Sequence, residues 1–127
     1  MPDTMKIPGP DHPITIAPAG VEVTVRSGGA VIARSGAALC LREAAHAPVL
    51  YIPRADVDMA KLRRTDLVTH CPYKGDCAYY SIVGAGADAE ARGVNAVWSY
   101  EAPYPAVAAI KDYLAFYPDR VDAIDLA

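Results

Sequence analysis

A chain of 127 residues, 53% of them apolar and with a formal net charge of −3, is the size of a single domain. It can bury enough surface to fold without disulfide or metal. The sequence pI of about 5.5 excludes a broad nucleic-acid surface, which needs a basic excess. No apolar run approaches the ~18 residues of a membrane helix, and the N-terminus has no signal-like stretch. A cytoplasmic domain with neither nucleic-acid nor membrane partners is the expectation. In chain order, the proline-bearing residues 1–12 read as an arm that crosses another subunit or stays disordered, with a homo-oligomer possible. The domain itself spans 13–127. Val21, Val23 and Val25 alternate with Glu22, Thr24 and Arg26, the period of a half-buried strand. Ser27-Gly28-Gly29 then predicts a hairpin turn into a second strand around Val31 and Ile32. Gly36 marks another turn, Leu39 and Leu41 alternate beyond it, and residues 49–52 form an apolar run stopped by Pro53. Residues 56–62 suggest a short helix capped by Asp56. Two further strands are expected over 78–83 and 95–101, with a glycine-rich loop over 84–93 between them. A second short helix is expected over 105–111, with Pro105 at its first position. Closing strands over 113–117 and 121–124 flank a Pro118-Asp119-Arg120 turn. Seven or so short strands and little helix make a mainly β domain.

Cys40, Cys71 and Cys77 form no C-x2-C pair, so no metal site is expected, and Cys40 reads as a small buried thiol. In the stretch from Thr69 to Asp76, Pro72 fixes one φ and Gly75 can turn left-handed. This rigid turn displays Tyr73, Lys74 and Asp76, either as a binding loop or as a decorated surface turn. Tyr79 and Tyr80 must face opposite sides of their strand, whereas Trp98 and Tyr100 share one face. If those strands pair, one tyrosine joins Trp98 and Tyr100 in an aromatic wall. Beside Lys74 and Arg54, such a wall borders a small-molecule pocket with a few charged groups. By spacing alone the rings read as core rather than as a pocket wall, since core is the commoner fate of aromatics. Other chemistry stays open. Cys71 is a candidate thiolate nucleophile, assisted by His70 or Lys74. The arm and Ala102-Pro103-Tyr104-Pro105 could instead contact a partner protein. His12 and His46 read as surface residues.

Several stretches together resemble one family. They are His12-Pro13, Tyr51-Ile52-Pro53-Arg54-Ala55-Asp56-Val57, the His70-to-Asp76 turn and Tyr79-Tyr80-Ser81. Asn95-Ala96-Val97-Trp98-Ser99-Tyr100 and Ala115-Phe116-Tyr117-Pro118-Asp119-Arg120-Val121 follow in order. The chain resembles the family catalogued as domain of unknown function 427, and the CPYKG segment with the later W-x-Y is specific to it. The resemblance implies a β-tent of two antiparallel sheets, with one or two short helices, leaning over a pocket. It places Arg54, Tyr73, Lys74, Tyr79, Trp98 and Tyr100 at that pocket as ligand-binding residues, with no cofactor. Relatives of the fold hold zinc between paired cysteines, which this chain lacks. Cys77 stands where the family pattern more often carries a small residue. The family also bears the label nucleotidyltransferase-like. Asp56-Val57-Asp58 has a D-x-D form, but polymerase-type transfer needs two or three carboxylates on metal beside a glycine turn. Here the glycine turn lies two predicted strands upstream and no third carboxylate follows. A small-molecule-binding domain is the leading reading, with a thiol-dependent enzyme or nucleotidyl transfer as alternatives.

Overall fold

A computed structural model describes residues 5–127. The strands are β1 (Ile14–Pro18), β2 (Val23–Ser27), β3 (Ala30–Ser35), β4 (Leu39–Glu43) and β5 (Val49–Tyr51), followed by β6 (Leu62–Cys71) and β7 (Gly75–Ile82). A short helix α1 (Ala87–Arg92) precedes β8 (Val97–Ser99), β9 (Ala115–Phe116) and β10 (Ala123–Leu126). The domain is mainly β, as its sequence implies. Its strands pair into three antiparallel sheets, β1-β4-β5, β10-β2-β3 and β6-β7-β8-β9, where two were expected. A backbone bridge joins the first and third. Ile52 and Leu114 exchange two backbone hydrogen bonds of 2.8 Å, so β5 runs on beside the chain entering β9.

Most strands follow the local chemistry. At the β2–β3 hairpin Ser27 pairs with Ala30, and Gly28 and Gly29 have φ of 60° and 79°. Positive φ at both central positions is what a two-residue turn matching strand twist requires. Val23 and Val25 are fully buried, and so is most of Thr24, because β2 lies between two neighbours and is covered on both faces. Ile32, Ile52, Ile82 and Leu114 join them in one core cluster. Each such side chain contributes about 1.5–3 kcal/mol by leaving water. A second cluster gathers Leu41, Tyr51, Cys77, Tyr79, Tyr100 and Ile110.

Two expectations are corrected. Residues 56–62 do not form a helix capped by Asp56. The chain makes two 3-10 turns, Arg54–Asp56 and Met59–Lys61, because Val57 bridges to Ala33 and the Asp58 amide donates to Ile32 between them. The Asp56 carboxylate instead accepts the Ser35 hydroxyl at 2.6 Å. Residues 84–93 hold α1 rather than loop alone. Its alanines favour helix, and Asp88 and Glu90 in the first turn and Arg92 in the last suit the helix dipole. The long edge strand β6 escapes sequence reading because most of its residues are exposed on both faces, which erases the alternation. Both closing strands form on either side of the Pro118–Arg120 turn, β9 joining β8 and β10 joining β2. Among the described residues no helix is long and apolar enough to cross a membrane. Residues 1–4 of the expected arm lie outside the described residues. The remainder folds back on its own chain, with the Lys6 amide donating to the Pro72 carbonyl at 2.8 Å.

A candidate ligand pocket

The pocket is built from the pairing of β7 with β8. Tyr79 lies directly opposite Trp98, and Tyr80 opposite Val97. Strand alternation therefore puts Tyr79, Trp98 and Tyr100 on one side of the sheet and Tyr80, Ser99 and Glu101 on the other. The aromatic wall forms, and Tyr79 is the tyrosine that completes it. β5 adds Tyr51, whose ring meets Trp98 edge-on at 6.4 Å and 89°. The Trp98 indole Nε1 donates to the Tyr51 hydroxyl at 3.2 Å. An indole can only donate, so Tyr51 accepts here and keeps its own proton for another acceptor. Beyond β9, Tyr117 tilts against Trp98 with centroids 4.5 Å apart. These rings border a cavity of about 220 Å³, with Leu41 and Val49 on its floor and Glu43, His46 and Lys74 at its polar side.

The polar side is a chain of paired groups. Lys74, only 8% exposed, forms an ion pair with Glu43 and sits 5.7 Å above the Tyr100 ring. The other Glu43 oxygen accepts from His12 Nε2 at 2.7 Å. His12 stacks flat on Tyr73, with centroids 4.0 Å apart, and meets His46 edge-on. Burial works against ionising Glu43. The hydrogen bonds and charges of Lys74 and His12 outweigh it and hold the carboxyl below its ordinary value. Burial pushes the Tyr79 phenol up to about 12 and raises Tyr51 and Tyr100 further, so all three stay neutral hydrogen-bonding groups at any physiological pH. The Tyr79 hydroxyl shares a hydrogen bond of 3.0 Å with Thr69.

Of the residues singled out in the sequence, Lys74, Tyr79, Trp98 and Tyr100 come together here. Arg54 and Tyr73 do not line the cavity. Arg54 lies across the sheet, donating to the Asp112 carbonyl at 3.1 Å, Tyr80 at 3.0 Å, and Ser99 and Glu101 at 3.2 Å each. Every edge of its guanidinium is thus committed to the fold. Tyr73 acts from behind, as the surface on which His12 rests. Cys71 is half-buried beside the second core cluster and does not line the cavity. Its neighbour His70 is on the other face of β6, where its Nδ1 pairs with the Asp76 carboxylate at 2.8 Å. Cys77 is buried, and burial raises its thiol pKa, the opposite of what a nucleophile needs. Among the described residues no three His, Cys, Asp or Glu side chains are grouped to hold a metal ion. Sequence reading missed Glu43, His46, Tyr51 and Tyr117. Glu43 had a usable signal: it continues the inward alternation of Leu39 and Leu41, and a carboxylate at an inward position calls for a partner.

No curated protein matches the chain. The model of the family described as Domain of unknown function (DUF427) matches residues 15–126. That match spans nearly the whole described domain, pocket strands included, so the chain belongs to the DUF427 family.

Proposed function

We propose that this domain binds a small planar metabolite in the aromatic pocket. What supports this reading is the cavity of about 220 Å³ whose walls are Tyr51, Tyr79, Trp98, Tyr100 and Tyr117. Small-molecule sites have this build: mostly apolar or aromatic walls with a few convergent polar groups. The volume suits a molecule of one or two rings. The Lys74 charge is already balanced by Glu43, which favours an uncharged or weakly polar ligand over a strong anion. Trp98 and Tyr117 supply stacking surface, and the Tyr51 proton reads a ligand acceptor. A thermal-shift screen of aromatic and heterocyclic metabolites tests this. At least one compound is expected to raise the melting temperature of the wild type, and Trp98→Ala is expected to abolish the rise. A screen without any hit, or a hit that stabilises Trp98→Ala equally, would overturn the reading.

A further inference from the structure

A second cavity adjoins the first. It measures about 290 Å³ and lies between β5 on one side and β2 and β10 on the other. Val49 and Trp98 line both cavities. The rest of its wall is Val23, Val25, Leu50, Ile52, Phe116 and Ile124, with Pro48, Pro118 and Leu126 at its rim. Ile124 lies across from Val25 and Leu126 across from Val23, so one face of the β10–β2 pair forms a continuous aliphatic floor. No charged side chain lines it, and its one side-chain donor, the Trp98 indole, is committed to Tyr51. A cavity of this kind holds water poorly, because each water needs two to four polar partners. Leu126, 59% exposed, leaves the outer end open to solvent.

We infer that the ligand of this domain is an amphiphile, with a planar polar head in the aromatic pocket and an aliphatic tail running past Trp98 into this second cavity. The inference rests on the pocket reading above and adds the chemical class. Val49 and Trp98 line both cavities, which therefore lie side by side, and an aliphatic tail directed past Trp98 would meet a space of comparable size with no charged side chain in its wall. Trp98 is the only tryptophan in the chain, and it stands at the junction. Its fluorescence therefore reports binding in either cavity.

The test titrates the full chain with the methyl, propyl and hexyl esters of 4-hydroxybenzoic acid and follows Trp98 emission. Affinity should rise with tail length by up to about fourfold per methylene. Tyr51→Phe should weaken all three esters by a similar factor, on the order of fivefold for a lost hydrogen bond. Ile124→Glu should bring the hexyl ester down to the affinity of the methyl ester, which itself stays unchanged. The wild-type series decides the tail even if Ile124→Glu folds poorly. Equal affinity for the three esters, still weakened by Tyr51→Phe, would overturn the tail cavity and leave the aromatic pocket standing. Dependence on tail length without any effect of Tyr51→Phe would overturn the head assignment. Binding of none of the esters would overturn both.

Discussion

Lys74 and Glu43 show why single residues at this site are held so firmly. An ammonium taken almost wholly out of water needs a counter-charge, and Glu43 supplies it while His12 satisfies the other carboxylate oxygen. Removing one member strands the other. Glu43→Gln is therefore expected to destabilise the fold by about 3 kcal/mol, at the low end for a broken buried pair because both groups keep some solvent contact. Replacing both charges is different. The double variant Glu43→Gln with Lys74→Met leaves no orphaned ammonium and should be more stable than Glu43→Gln alone. Urea unfolding of the wild type, both single variants and the double variant measures this coupling. If the double variant lost the full sum of the single losses, the pair would not be an energetic unit. Arg54 makes the contrasting point. Its cation has five donors and finds four acceptors around it, so its role is to tie the chain after β5 to β7, to the end of β8 and to Asp112.

Among the elements, the β2–β3 hairpin and α1 depend on each other through one glycine. A Cβ placed on Gly28 would fall 2.1 Å from the Ala85 carbonyl oxygen, in the segment leading to α1, whereas one on Gly29 would meet nothing within 4 Å. Both residues have positive φ. Gly29→Ala should thus cost only backbone strain, about 1 kcal/mol. Gly28→Ala adds a backbone clash and should cost about 2–3 kcal/mol. Urea midpoints at unchanged m-value separate the two, and equal losses would mean that the close approach to Ala85 carries no energy. This hairpin was legible in the sequence because its cause is local: two adjacent glycines between alternating valines. The same is true of the strands around Tyr79 and Trp98. What stayed hidden is set by distant partners. The turns at 54–61 are imposed by Ile32 and Ala33, and β6 forms because β7 offers it an edge. The pocket divides the same way. Its aromatic wall follows from the pleat of two strands, whereas Glu43, Tyr51 and Tyr117 arrive from other parts of the chain. Arg54 is close to Tyr51 in sequence, yet it crosses to the opposite side of the sheet.

Across the whole molecule, two carboxylates carry much of the polar connection between the first and third sheets. Glu43 links β4 to Lys74 at the β6–β7 turn and to His12 before β1. Glu101, just past β8, gathers Arg54 from the 3-10 turn that follows β5, Arg64 from β6, and the Tyr80 hydroxyl at 2.5 Å. At Glu101, as at Glu43, burial opposes ionisation. Hydrogen bonds from Tyr80 and Arg64 and the charges of Arg64 and Arg54 prevail and lower its pKa. Both groups start from an ordinary value of 4.5 when the chain is unfolded. The folded protein thus binds fewer protons than the unfolded chain between their lowered values and 4.5. Their stabilisation is complete at neutral pH, declines as pH falls through that window, and is gone below the folded values. Since the Ile52–Leu114 contact is the only backbone bridge between these sheets among the described residues, acid should loosen the pocket walls with the fold. Urea unfolding between pH about 6.5 and about 3 should show stability falling with acid, and the fall should be shallower in Glu43→Gln and in Glu101→Gln. The general charging of an acidic protein lowers stability in every variant alike, so the difference in slope isolates these two links. If both variants tracked the wild-type slope, the sheets would be held together by apolar packing, and the ionic links would contribute nothing that acid can remove.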